Sequence, residues 1–86
     1  MQDITITVTG MEVDFETARG MAALIGGQGV EETTLISWCD RIRGIHSPQC
    51  LKCEIKGEPG WEVYGRTHGG RLRIALQQEQ YVFIYA

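Results

Sequence analysis

Eighty-six residues, 43% hydrophobic and 22% charged, make a chain of ordinary globular composition with room for one domain, 1–86. A chain this short buries only about 60–65% of its unfolded surface, which excludes a deep enclosed substrate pocket and favours a shallow surface site. The net charge of −3 argues against nucleic acid as a partner, and no apolar run approaches the roughly 18 residues that a membrane span needs.

Ile4, Ile6 and Val8 alternate with Asp3, Thr5, Thr7 and Thr9, which is the period of a half-buried strand, and Gly10 breaks it. Asp14 then caps a helix running to about Ile25, with Phe15, Ala18, Ala22 and Ile25 along one face. Gly26, Gly27 and Gly29 end that helix. Gly20 inside it lets the helix sit close to the sheet. Residues 33–42 read as a second strand, 44–48 as a turn, and 50–56 as a third strand stopped by Gly57, Pro59 and Gly60.

From Trp61 onward the chain reads as a β-meander. Gly69-Gly70 suits a tight hairpin turn, and Gln78-Glu79 supplies the next one. These turns pair Arg66 with Arg73, Tyr64 with Ala75, Leu76 with Tyr81, Ile74 with Phe83, and Leu72 with Tyr85. One face then gathers Trp61, Val63, Leu72, Ile74, Leu76, Tyr81, Phe83 and Tyr85 as the core. The other carries Glu62, Tyr64, Arg66, His68, Arg71, Arg73, Val82 and Ile84. The expected fold is therefore α+β, one helix packed on a mostly antiparallel sheet of about five to six strands, closed by a C-terminal meander.

Several stretches resemble a small uncharacterised α+β domain family of archaea and anaerobic bacteria. They are Ser37-Trp38, Asp40-Arg41, His46-Ser47-Pro48, Gly60-Trp61-Glu62-Val63-Tyr64, Gly69-Gly70 and Tyr81-Val82-Phe83-Ile84-Tyr85. The resemblance extends over nearly the whole chain, from the first strand and residues 14–19. It implies a compact α+β domain and no known activity. In that family an aromatic stands at the position of Cys39, which implies that Cys39 is not an essential ligand.

Charge is unevenly spread: residues 1–32 carry six acids and one base, and residues 33–86 carry five acids and seven bases. Arg66 directly opposite Arg73 is an unfavourable cross-strand pair that calls for an anion. This singles out Tyr64, Arg66, His68, Arg71 and Arg73 as a ligand-binding face on a non-enzymatic module. Its partner would be an anionic small molecule or an acidic protein surface.

Three cysteines cannot all pair internally, and the N-terminus lacks the basic segment of a signal peptide, so the expected location is the cytoplasm. Cys39, His46, Cys50 and Cys53 have ligand types that suit tetrahedral zinc. The alternation of 50–56 as a strand, however, sends Cys50 and Cys53 to opposite faces. The expectation is no cofactor, with a zinc or thiol protein built on His46, Cys50 and Cys53 as the alternative. A further alternative groups Asp40, His46 and Cys53 as an acid, a base and a thiol. One register of the 33–57 hairpin turns Asp40 inward beside Trp38, where burial would raise its pKa unless Arg41, Arg43 or His46 pairs with it.

Overall fold

The alternating Ile4 and Ile6 do lie in a strand, whose partner is far away in sequence. In the computed structural model, which describes residues 1–28, 32–49 and 54–86, strand β1 (Gln2–Ile6) runs parallel to β6 (Leu72–Leu76). Strand β6 pairs antiparallel with β7 (Tyr81–Tyr85), β7 with β2 (Leu35–Asp40), and β2 with β3 (Ile45–Ser47). The sheet order is β1-β6-β7-β2-β3, and a separate small ladder joins β4 (Glu54–Ile55) to β5 (Glu58–Pro59). This is the expected α+β class with a mostly antiparallel sheet. Among the described residues no helix is long and apolar enough to cross a membrane.

Helix α1 (Phe15–Gly26) starts where the Asp14 carboxylate accepts a hydrogen bond from the Thr17 amide at 2.8 Å. Ala18 and Ala22, one turn apart, are fully buried and bring the helix close to the sheet. Its apolar stripe meets Ile74, Leu76, Tyr81, Phe83 and Tyr85, with Ile4, Ile6 and Trp38 packed around them. Gly20 does not serve that approach. It is exposed, with open space where a Cβ would stand. The β6–β7 register is the expected one, pairing Leu72 with Tyr85, Ile74 with Phe83, and Leu76 with Tyr81.

Residues 60–67 depart from the expectation. They form a second helix, α2 (Gly60–Thr67), in place of the first strand of a meander. Trp61 and Gly65, four residues apart, share its buried face, and Glu62 in the first turn with Arg66 in the last suits the helix dipole. Gly69-Gly70 is the helix stop, not a hairpin turn. Gly69 takes φ +87°, and the Gly70 amide reaches back to the Gly65 carbonyl at 2.9 Å, closing a Schellman-type end. The pairings of Arg66 with Arg73 and of Tyr64 with Ala75 therefore do not exist.

Helix α2 covers the sheet face opposite α1, packing Trp61 with Cys39, Ala75, Val82 and Ile84. The face expected to be open is thus a second core layer, and Val82 and Ile84 are fully buried. Contact is close at Gly65, where a Cβ would come within 2.6 Å of Ile84 Cδ1 and 2.7 Å of the buried Ser37 hydroxyl.

The hairpin after β2 also differs. Its turn is at residues 41–44, with Gly44 at φ +68°, and residues 45–47, expected in the loop, form β3. Of the expected strand 50–56, Glu54–Ile55 is observed as β4, while Cys50, Leu51, Lys52 and Cys53 lie outside the described residues.

Candidate functional site

The five residues expected to make a cationic face are dispersed, and most of their charge is answered internally. Arg66, exposed on α2, holds Glu58 through both terminal nitrogens, at 2.7 and 2.9 Å. That pairing raises the arginine pKa and lowers the Glu58 carboxyl. Arg73, only 9% exposed, lies under α2 and meets three carboxylates. Its Nη2 donates to Glu79 at 2.6 Å, its Nε to Glu62 at 3.1 Å, and its Nη1 to Asp3 at 3.3 Å. Burial alone would lower its pKa, but the hydrogen bonds and charges of Glu62 and Glu79 raise it well above the ordinary value. His68 stacks on Tyr64 with ring centroids 3.9 Å apart. Arg71 donates to the Glu32 carbonyl at 3.4 Å. The repulsion that called for an external anion is absent because Arg73 is a tie between β1, β6, α2 and the 77–80 turn.

Asp40 and His46 of the acid alternative separate in the same way, while Cys50 and Cys53 of the thiol alternative lie outside the described residues. Cys39 and His46 are direct cross-strand partners, whereas Asp40 faces Ile45 and points to the α1 side with Trp38. Asp40 and His46 therefore stand on opposite sides of the sheet. Burial pushes the Cys39 thiol up, so it is held as the neutral thiol. Among the described residues no three of His, Cys, Asp and Glu gather where a metal ion could be held.

The topology instead builds a cleft at one end of the sheet. Because β1 and β6 are parallel while β7 is antiparallel to β6 and to β2, the C-terminal ends of β1, β2 and β6 meet the start of β7. The β1–α1 connection, the 41–44 turn, the 77–80 turn and the N-terminus of α1 all converge there. Gln77 anchors the connection: its side chain accepts from the Val8 amide at 2.7 Å and donates to the Val8 carbonyl at 3.0 Å. The Arg41 amide donates to the Gln80 carbonyl at 2.8 Å, tying β2 to the other turn.

The cleft has a volume of about 630 Å³, with Met11, Glu12, Asp14, Ile42, Gln80 and Tyr81 on its walls. An adjoining lobe of about 350 Å³ shares Asp14, Ile42 and Tyr81 and adds Phe15, Glu16, Asp40 and Arg43. Asp40 is fully engaged. Its carboxylate accepts from the amides of Ile42 (3.0 Å) and Arg43 (3.1 Å) and from Arg43 Nε (2.6 Å). Burial by itself would raise its pKa. The Arg43 hydrogen bonds and charge, with the Ile42 amide, hold it below the usual carboxylate range. The Arg43 guanidinium also lies 5.0 Å from the centre of the Phe15 ring, so this turn is tied to the start of α1.

Tyr81 forms the floor. It is 4% exposed, its ring lies edge-on to Phe15, and no group among the described residues hydrogen-bonds its hydroxyl. Burial, then the charges of Asp40 and Asp14, push its phenol above the ordinary value. Met11 and Ile42 on the rim are large, apolar and 59% and 63% exposed. None of these three was singled out from the sequence as a site residue. The available signals were the acidic excess of the N-terminal third and an isoleucine, Ile42, between two arginines at a strand end.

The Asp40 geometry predicts a specific pH dependence. A carboxyl held below its unfolded pKa of about 3.9 contributes stability that is complete above that value and is lost as pH falls through the folded pKa. Urea titrations across the acid range should show that loss in the native protein. In Asp40→Asn the same slope should be reduced, with a lower plateau at neutral pH because the Arg43 pair is gone. Parallel acid slopes in the two proteins would show that Asp40 is not the group responsible.

Comparison with known proteins agrees with this architecture. The chain is similar to a protein from Archeoglobus fulgidus DSM 4304, AF1514, described as novel in its crystal structure. The two share 28% identity and a TM-score of 0.81, over all of this chain and 93% of that one. None of the curated proteins matches the chain. A family model matches residues 1–85, and the chain belongs to that family, described as a domain of unknown function (DUF5619).

Proposed function

We propose that this domain is a small non-enzymatic binding module, acting in the cytoplasm, whose site is the cleft over Tyr81. One observation carries the reading. Tyr81 is only 4% exposed, and its hydroxyl, which has no hydrogen-bond partner among the described residues and is not one of the buried polar atoms, meets solvent in the cleft that the residue lines with Met11 and Ile42. Convergent polar groups with an apolar rim are what a small-ligand site needs. The anion reading on Tyr64, Arg66, His68, Arg71 and Arg73 loses its electrostatic motive, since Glu58, Glu62, Glu79 and Asp3 already answer Arg66 and Arg73.

A second reading, a zinc or thiol protein, draws on Cys39 lying opposite His46. It is weaker because the Cys39 thiol is buried, which pushes its pKa up. The other expected ligands, Cys50 and Cys53, lie outside the described residues.

A fragment screen of mixed charge, read by amide and methyl NMR shifts, tests the proposal. Ligands should move Tyr81, Ile42, Gln80 and Met11 before any residue of α2. Shifts centred on Tyr64 and Arg66 would restore the anion reading, and about one zinc per chain with coupled loss of folding on chelation would establish the metal reading.

A further inference from the structure

Resting on that cleft, we infer that its ligand is a small organic cation, a primary amine carrying a short apolar chain. The charge on the walls points one way. Glu12, Asp14 and Glu16 stand around the opening, and the cation beside them, Arg43, is already matched by Asp40 at 2.6 Å. No salt bridge among the described residues engages Glu12, Asp14 or Glu16, so the cleft carries a surplus of negative charge in a protein whose other carboxylate cluster is tied to Arg73.

Acidic side chains alone would be only a solvated rim. The second and independent feature is the Tyr81 hydroxyl, on a side chain more than nine-tenths buried, aimed into the same space with no protein partner among the described residues. Its oxygen can accept a hydrogen bond from an ammonium, while the rim carboxylates balance the charge. The exposed Met11 and Ile42 side chains give an alkyl chain an apolar surface to cover on the way out. The N-terminus of α1 lies at the same opening and by itself would favour an anion. There the Asp14 carboxylate caps the Thr17 amide and answers the helix end, so the surplus left on the walls is that of Glu12 and Glu16.

A matched series separates the charge from the site: hexylamine, hexanol and hexanoate, each titrated into the protein and followed by NMR at Tyr81, Ile42 and Met11. Hexylamine should bind about fivefold or more tighter than hexanol, as expected for one or two partly exposed carboxylates, and hexanoate weakest. Glu12→Gln/Glu16→Gln, both at exposed positions, should erase the preference of amine over alcohol and leave the fold intact. Tyr81→Phe should weaken the amine by about fivefold, the worth of one hydrogen bond. Equal binding of amine and alcohol, or a preference for hexanoate, overturns the cation and leaves the cleft as the site. Silence from all three overturns the cation as well. If the mixed-charge fragments also leave Tyr81 unmoved, the cleft reading falls with it.

Discussion

Phe83→Ala should lower the unfolding free energy by about 3–5 kcal/mol, measured by urea denaturation. Phe83 is fully buried on the central strand β7, paired across the sheet with Ile74 on one side and Trp38 on the other. Its ring centroid lies 5.6 Å from that of Phe15, so it joins the sheet to α1. Alanine would leave a cavity among residues from three other elements, β6, β2 and α1, none of which can close it without disturbing another. In a domain of this length, with total stability on the order of 4–13 kcal/mol, such a loss would leave the variant marginal or unfolded. Leu24→Ala, at a helix position 70% exposed, is the control and should change stability by less than about 0.5 kcal/mol. A loss under about 1 kcal/mol for Phe83→Ala would show that the centre of the sheet is packed differently.

Gly70→Ala should cost about 3 kcal/mol or more, the upper end for overpacking, although it adds only one methyl group. The added Cβ would overlap the carbonyl oxygen of Gly65, which is backbone and already accepts the Gly70 amide, and would come 2.9 Å from Ile84 Cγ2. The end of α2 would have to lift from the sheet, and Trp61 with it. Loss of the Trp61 near-ultraviolet signal together with lowered stability would report this. Gly20→Ala offers the opposite expectation. Its site is a solvent-facing helix interior with nothing near the new methyl, so alanine should stabilise by about 0.5–1 kcal/mol. If the two glycine substitutions behave alike, close packing at Gly65 and Gly70 is not what seats α2.

Local signals were legible where they were self-sufficient. The Asp14 cap, the alanine spacing of α1 and the β6–β7 register all follow from nearest-neighbour rules, and each is present as read. Asp40 does turn inward beside Trp38 with Arg43 as the partner that keeps the buried carboxyl ionised, but β2 pairs with residues 45–47, which neither expected register of the 33–57 hairpin contains. Segment 60–67 misled because its buried helical face is made of Gly60, Trp61 and Gly65. Glycine carries no hydropathy signal and reads as a breaker, so the four-residue spacing was hidden and the alternation of Trp61 and Val63 took its place. One clue was available in Tyr81-Val82-Phe83-Ile84-Tyr85. Five consecutive apolar residues, all buried, are the mark of a strand covered on both faces, which requires a second covering element.

The sequence by itself determined the α+β class, the first helix with its cap, the final hairpin and its register, because each depends on residues close along the chain. Tertiary structure alone decided what covers the second face of the sheet and which charges meet. Arg73 finds Asp3, 70 residues away, only because β1 pairs with β6. The cleft is likewise a product of that pairing, since Met11 and Ile42 come from two connections that meet the first residue of β7, Tyr81, at one end of the sheet. No periodicity encodes such a meeting, because it depends on which strands lie side by side.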